Sequence, residues 1–201
     1  MTMIDARQLR TAIERYKQRR ADDCVTIPTA AAHRSNPART YLGHTEVLFF
    51  QPDAGRGEQA TFVITCGLAY GLRPSDLPGF ELILEIEGRV RHVDRVAHGL
   101  ADFAFRPLNQ GVDLREGKLF TRAWLPPFDR LGNVLVCPWL FSRDQTLELP
   151  GGASVQLAQA VPLHDSEVAA SRDLDSLRDL YHQVAPYRRD PARQPLGAKA
   201  A

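Results

Sequence analysis

The sequence predicts a single α+β domain in which helices cover a mixed, mainly antiparallel β-sheet. Two strand-like runs, 61–66 and 80–87, alternate along the chain with a period of two, which places successive side chains on opposite faces of a sheet. A later segment, 93–104, changes to the period of an amphipathic helix. The chain has 201 residues, enough for one domain with a sizeable core.

The N-terminal part of the chain predicts a helix, a loop and a strand. Residues 5–20 are predicted to be helical, because one face repeats apolar residues at i, i+4 and i+7, namely Leu9, Ile13 and Tyr16. Residues 28–40 are predicted to be a loop, since Pro28 and Pro37 stand among small polar residues. The apolar run 46–50 then predicts a strand.

Two strands are predicted around the loop that begins at Gly67. In the first, Phe62, Ile64 and Cys66 share one face. In the second, the apolar face is expected to enter the core, while the acidic face is expected to stay in solvent; its members are Glu81, Glu85 and Glu87.

The middle of the chain predicts one helix and two further strands. The helix 93–104 is expected to lie across the sheet and to end at the segment that begins with Pro107. Residues 118–125 are predicted to form a strand, and so is the β-branched run 134–137.

The C-terminal part predicts a hairpin, a helical region and a tail. Two runs, 146–149 and 154–161, flank a Pro-Gly-Gly turn. Asp165 is expected to cap a helical region that ends near Pro186 and has one apolar stripe: Leu174, Leu177, Tyr181 and Val184. Residues 187–201 have too few apolar side chains to fold alone, which predicts disorder.

Composition disfavours several classes of function. The 25 basic and 24 acidic residues give a net charge of +1, which supplies no overall field for nucleic acid or an anionic membrane. No apolar run is long enough to cross a bilayer, and the N-terminus is unlike a signal peptide. The three cysteines, Cys24, Cys66 and Cys137, are widely spaced, which favours a reducing compartment. We therefore predict a cytoplasmic protein.

The chain offers few candidates for catalysis, and we predict no metal and no cofactor. Cys66 with His92 or His98 is the one candidate nucleophile and base, but Cys66 lies on the apolar face of its strand, which favours an inert core thiol. No histidine pair has the spacing of a metal site. Of the two carboxylate pairs that acid–base catalysis could use, Glu81 and Glu85 are interpreted as a solvated strand face, and Asp22 and Asp23 as part of a loop that ends a helix.

Two tryptophans, Trp124 and Trp139, lie on separate strand candidates. Core packing is the expected role of both. The alternative is that they are exposed recognition anchors, because interfaces are enriched in Trp and Arg, and Arg122 lies close to Trp124 in sequence.

Several short motifs resemble the suppressor of fused domain family, and they occur in the family's order between residues 60 and 185. Thr65-Cys66-Gly67-Leu68 followed by Gly79-Phe80-Glu81-Leu82 is similar to the family signature T-x-G-L-S … G-F-E-L, with Ala69 in place of the Ser. Further similar segments are the amphipathic helix from Val93 to Phe105, the strand from Val155 into Val161-Pro162-Leu163 with Glu167, and the helix with Leu174, Leu177 and Leu180.

The resemblance implies a non-enzymatic protein that binds a protein partner. Animal members hold a transcription factor, and bacterial relatives are proposed to be immunity proteins that neutralise toxins. It implies partner contacts at Phe103 and Glu116, although the family can show Tyr at the first position. The implied organisation is an N-terminal helix and loop at 1–40, the domain itself at 41–186, and the tail. A thiol-dependent hydrolase using Cys66 and a regulator that docks a transcription factor remain the alternatives.

Overall fold

The computed structural model describes residues 6–19, 26–34, 44–52, 60–70, 79–110, 117–138, 146–169, 171 and 173–196. In these ranges the helices are α1 (Ala6–Arg19), α2 (Val93–Asn109), α3 (Asp165–Ala169) and α4 (Leu174–Val184). Two 3₁₀ turns are present at Leu68–Tyr70 and Ala185–Tyr187. The strands are β1 (Thr26–Arg34), β2 (His44–Pro52), β3 (Ala60–Cys66), β4 (Gly79–Glu87), β5 (Lys118–Thr121), β6 (Asn133–Pro138), β7 (Thr146–Glu148) and β8 (Ser154–Leu163).

The described strands form one mixed sheet in the order β1-β2-β3-β4-β8-β6-β5, with β7 beside the first half of β8. All neighbouring pairs are antiparallel except β4 and β8, which are parallel. The predicted fold class is therefore confirmed. The parallel pair requires a long crossover between β4 and β8, and this crossover contains α2 and three other strands.

Helices cover both faces of the sheet. On one face, α2 and the loop 122–132 pack against β4, β6 and the neighbouring strands, and this cluster includes Leu100, Leu82 and Val134. On the other face, α1 covers β2 and β3 through Leu9 and Ile13. The same face continues under α4, where the packed residues are Leu180, Tyr181 and Val184. The buried strands thus lie in the middle of three layers.

The alternation predicted for β3 and β4 is present, but the acidic face of β4 is not in solvent. Phe62, Ile64 and Cys66 share the face that α1 covers, as predicted. Glu87 is exposed, whereas Glu81 and Glu85 are 0 % and 2 % exposed. The prediction of solvated glutamates was wrong for these two, because it assumed that helices cover only one face of the sheet.

Glu81 binds the turn that follows β3. Its carboxyl group accepts hydrogen bonds from the backbone N–H of Gly67 (3.0 Å), Leu68 (3.3 Å) and Ala69 (3.0 Å). The hydroxyl of Thr65 donates a fourth, at 2.7 Å. The two halves of the T-x-G-L … G-F-E-L motif are therefore in direct contact, and the side chain at position 69 is not needed for this contact because only its backbone N–H takes part.

Glu85 binds the segment that follows α4. Arg188 Nη2 donates to both carboxylate oxygens, at 3.0 and 2.8 Å, and Arg189 Nε donates to Oε2. Gln159 of β8 donates to Glu85 Oε1 at 2.8 Å and accepts from the Tyr181 hydroxyl at 2.7 Å. The chain after α4 also joins the strand directly, since the Glu87 N–H donates to the Arg189 carbonyl at 2.7 Å.

Glu167 of α3 forms the second buried ion pair of this face. Arg193 holds it through both guanidinium ends, with 2.7 Å between Nη2 and Oε2, and the two side chains are 3 % and 2 % exposed. The backbone N–H groups of His164 and Leu196 donate to the same carboxylate, at 2.9 and 3.1 Å. Burial raises the pKa of Glu167, but these donors outweigh burial and hold the pKa below its ordinary value.

These two ion pairs correct the prediction of a disordered tail from residue 187. Residues 187–196 pack on the domain, because their arginines neutralise carboxylates that would otherwise be buried and unpaired. This segment is poor in apolar side chains, and its acidic partners lie far away in the sequence, so local residue order does not reveal the contact. Residues 197–201 lie outside the described part.

Other elements differ from the sequence predictions in their bounds. The predicted loop 28–40 is strand β1 up to Arg34, paired with β2; Pro28 is tolerated because β1 is the last strand at this edge of the sheet. Helix α2 continues through Pro107 to Asn109. The final helical region is divided into α3 and α4, and Asp173 caps the longer helix through a capping box with Ser176.

The Glu81 contact predicts that Glu81→Gln destabilises the protein. One oxygen of the carboxyl group is replaced by an NH₂ group that cannot accept hydrogen bonds from the turn. Below pH 4.5, where the stability contributed by Glu81 is complete, we therefore expect the free energy of unfolding to fall by about 1–3 kcal/mol in urea denaturation. Glu87→Gln, on the exposed end of the same strand, is the matched control and should change the stability little.

The stability difference between the wild type and Glu81→Gln should also depend on pH. Burial raises the pKa of Glu81 from 4.5 to about 7, against the opposing effect of its four donors. A carboxyl group with a raised pKa contributes stability that is complete below its ordinary pKa and is lost as the pH rises through the folded value. The difference should therefore shrink between pH 4.5 and about 7. A difference that grows with pH would contradict this assignment.

The buried pair on α3 predicts a large effect for Arg193→Ala. This change leaves the Glu167 carboxylate buried without its ionic partner, so we expect a loss of about 3–5 kcal/mol in the free energy of unfolding. Arg178→Ala is the control, because Arg178 and Asp175 form an exposed pair with side chains 59 % and 90 % exposed; it should change the stability by less than about 1 kcal/mol. Equal effects of the two variants would show that residues 187–196 do not pack as described.

Candidate partner-binding surface

Strand β5 lies at one end of the described sheet, and Phe103 packs beneath it. The Phe103 ring meets the Phe120 ring edge to face, with 5.5 Å between centroids. Phe103 is 4 % exposed, so its side chain supports the edge strand from the core. Glu116, the other predicted partner contact, lies outside the described residues. A role of either residue in binding stays a prediction.

The loop 122–132 follows β5 and is held to α2 at several points. Arg95 of α2 pairs with Asp129 at 2.7 Å, and Arg106 Nη1 donates to the carbonyl of Arg122 at 3.0 Å. Between these contacts the loop touches α2 closely: a Cβ at Gly99 would lie 2.3 Å from Cδ of Pro126. The loop is therefore fixed near both of its ends and in its middle.

The backbone at the start of this loop has an uncommon conformation. Arg122 adopts φ 51°, in the left-handed region that residues other than glycine rarely occupy. The Ala123 N–H donates to the Gly132 carbonyl at 2.9 Å, which joins the two ends of the loop. This hydrogen bond and the one from Arg106 stabilise the conformation.

Trp124 projects from the loop into solvent with 58 % of its surface exposed. Its neighbours Ala123 and Leu125 are buried, so the loop keeps the alternation of a strand and turns the tryptophan outward. The prediction of core packing was wrong for Trp124, because α2 already fills the inner side of the loop. Trp139 lies outside the described residues.

The indole of Trp124 lies next to Gly132. A Cβ at Gly132 would be 3.5 Å from Trp124 Nε1 and 3.2 Å from Oδ1 of Asp165. The indole therefore lies close to the backbone at Gly132, next to α3. Neither the exposure of Trp124 nor its contact with Gly132 has a signal in the sequence beyond the nearby Arg122.

Exposed cationic side chains lie on the loop that carries Trp124 and on the helix that this loop contacts. Arg106, Arg122 and Arg130 are exposed on α2 and on the loop. Two acidic groups of this region are already engaged, since Asp129 pairs with Arg95 and Asp165 accepts from Asn133 Nδ2 at 2.6 Å. Arg122 and Arg130 form no ion pair with any carboxylate in the described part of the chain.

The candidate nucleophile Cys66 is buried and lies away from the predicted histidine bases. Its side chain is 4 % exposed and belongs to the cluster beneath α1. His92 directly precedes α2 and His98 lies within it, and both side chains are exposed. Helix α2 covers the opposite face of the sheet. His98 Nδ1 lies 2.7 Å from the Asp94 carbonyl oxygen. Burial raises the pKa of the Cys66 thiol, and the carboxylates of Glu81 and Glu46 raise it further.

The described residues contain neither a cluster of metal ligands nor a helix suited to a membrane. Among the described residues, no three His, Cys, Asp or Glu side chains come together as metal ligands would. Within those ranges, too, no helix combines the length and the apolar character that crossing a bilayer requires.

The burial of the cysteines predicts that native Cys66 and Cys137 resist alkylation. Burial raises the pKa of Cys137 to about 12, so little thiolate forms at either site. We expect both to react with iodoacetamide about a hundredfold or more slowly than in urea, because opening a core region costs at least about 3 kcal/mol. Peptide mapping by mass spectrometry reports each site separately. Rapid labelling of native Cys66 would show an open thiol site instead.

Solved structures share the fold of this chain. A suppressor of fused homolog from Neisseria gonorrhoeae matches with a TM-score of 0.65 and 11 % identity, over 95 % of this chain and 97 % of that one. The Sufu–Fu complex matches with a TM-score of 0.50 and 14 % identity, over 90 % of this chain and 80 % of that one. Drosophila Suppressor of Fused matches with a TM-score of 0.51 and 16 % identity, over 76 % of this chain and 42 % of that one. No curated protein matches the sequence.

The sequence itself matches one family of proteins. The model of the suppressor of fused protein (SUFU) family covers residues 43–194. This match reaches past Arg193, so it includes the buried ion pair with Glu167 as well as the contact of Glu81 with its turn. With more than half of its length matched, the chain belongs to the suppressor of fused protein family.

Proposed function

We propose that this protein is a non-enzymatic binding module that sequesters a protein partner. The observation that carries the proposal is family membership across residues 43–194, because the family's domain is a protein-interaction module in SUFU proteins. A relative of the same fold was solved as the Sufu–Fu complex. The domain surface also fits this role, since a rigid loop presents a largely exposed tryptophan among arginines.

Strand β5 is a candidate place for a partner to bind. Among the described strands it is the last at its edge, and an edge strand can add a strand from another chain through backbone hydrogen bonds. Phe103 supports β5 from below, and Glu116 immediately precedes the described residues of this strand. We propose that Phe103 affects binding through the position of β5, and that Glu116 contacts the partner directly.

The partner we propose first is a toxin domain, so that the protein would act as an immunity protein in the cytoplasm. This choice follows the resemblance to bacterial members and the match to the Neisseria homolog. A transcription factor is the second candidate, in which case the protein would be a regulator. The physical requirement is the same for both, namely tight binding without turnover.

The thiol hydrolase alternative is disfavoured by the geometry around Cys66. A cysteine nucleophile requires a lowered pKa and a base within hydrogen-bond reach. Burial and nearby carboxylates raise the pKa of Cys66, and the histidines of α2 lie on the other side of the sheet. No other candidate for catalysis arises from the described residues.

A pull-down from the native host, analysed by mass spectrometry and followed by binding measurements on the purified partner, tests the proposed function. We expect one protein to be recovered in stoichiometric amount, and Glu116→Ala to weaken its binding by about 1–2 kcal/mol if this carboxylate contacts the partner. Glu87→Ala is the matched control, because Glu87 is exposed at the end of the central strand β4. Failure to recover any partner, or turnover of the recovered one, would contradict the proposal.

A further inference from the structure

Trp124 of the loop 122–132 is exposed on a backbone that is held in place, as residues that bind partner proteins often are. Contacts with α2 fix the loop backbone, and the indole lies close to the backbone at Gly132, beside α3. A side chain that is already held in place loses little conformational entropy when a partner covers it. Trp and Arg are also the residues that most often dominate binding energy at protein interfaces.

The charges around this residue indicate what kind of partner fits. We define the Trp124 surface as Trp124 together with Arg106, Arg122 and Arg130. The neighbouring acids Asp129 and Asp165 are engaged with Arg95 and Asn133, whereas Arg122 and Arg130 have no carboxylate partner in the described ranges. The Trp124 surface thus combines an exposed indole ring with arginines that precede and follow it in the sequence.

We propose that the Trp124 surface docks an acidic segment of a partner protein. An apolar side chain of the segment packs on the indole, and carboxylates of the segment face Arg122 and Arg130, which supply charge-assisted hydrogen bonds. The proposal rests on the proposed function and deepens it, because it names the chemistry of the partner. The whole chain has a net charge of only +1, so this attraction is local and does not extend to any polyanion.

Short labelled peptides of equal length test the proposal through fluorescence anisotropy. One peptide carries Phe and Leu among Asp and Glu, a second carries the same apolar residues among Lys, and a third carries them among Ser and Asn. We expect binding only to the acidic peptide, and weaker binding as salt is raised. Equal binding of all three peptides, or of none, would overturn the proposal.

Substitutions assign the binding to this surface. Trp124→Ala should lower the affinity for the acidic peptide by about tenfold or more. This variant should still fold, because the side chain of Trp124 is largely exposed. Gly132→Ala keeps the tryptophan and places a Cβ at an ordinary contact distance, 3.5 Å, from its Nε1, so it is a control that should change binding little. Near-UV circular dichroism confirms that both variants remain folded.

Charge reversal provides a second test with a matched control. Arg122→Glu combined with Arg130→Glu should reverse the preference toward the lysine peptide. Arg15→Glu combined with Arg178→Glu changes the net charge equally, but these exposed residues lie on α1 and α4, over the other face of the sheet. A reversal by the control pair alone, or by both pairs equally, would contradict the assignment to the Trp124 surface.

Anionic membranes and nucleic acids are the competing ligands to test, because Trp and Arg side chains also bind anionic lipids and phosphate groups. Binding to phosphatidylserine vesicles or to single-stranded DNA, without a preference among the peptides, would overturn the proposal. The pull-down separates this inference from the proposed function. A recovered partner that binds Trp124→Ala as tightly as the wild type would leave the proposed function in place and remove only the Trp124 surface.

Discussion

The structure depends on the burial of three carboxyl groups on the face of the sheet that α1 and α4 cover. A buried carboxylate is tolerated only where donors replace the water that it has lost. Glu81 takes its donors from the turn after β3, Glu85 from Arg188 and Arg189, and Glu167 from Arg193. Glu85 and Glu167 therefore fix the segment after α4 through its arginines, whereas Glu81 fixes a turn whose Leu68 and Ala69 are also buried.

The same arrangement explains why two family motifs contain glutamate. Glu81 stands in the G-F-E-L part of the motif, and its donors lie in the T-x-G-L part, so the pattern describes one contact between β4 and the end of β3. Glu167 follows Val161-Pro162-Leu163, and Arg193 also donates to the carbonyl of Pro162 at 3.0 Å. These residues hold the fold together through contacts inside the domain. The loop 122–132 packs against α2, and Trp124 projects from this loop into solvent.

The sequence alone was sufficient for the fold class and for most elements, because the periodicities of β3, β4 and α2 depend on local residue order. It was not sufficient where a residue's role is set by distant neighbours. Glu85 has the sequence pattern of a solvated strand residue, and only its contacts with Arg188 and with Gln159 show that it is buried. Trp124 has the pattern of a core residue, and only the packing of α2 inside the loop shows why it points outward. Phe103 was identified through the family resemblance, and its side chain packs in the core.

Site-resolved NMR titration of the glutamate carboxyl carbons in the native protein tests this account most directly. We expect Glu81 to titrate near pH 7, and Glu167 to titrate below the ordinary range of a glutamate. Ordinary values for both Glu81 and Glu167, close to about 4.3, would show that these groups are in solvent. Such a result would contradict the burial on which the order of the turn and of residues 187–196 depends.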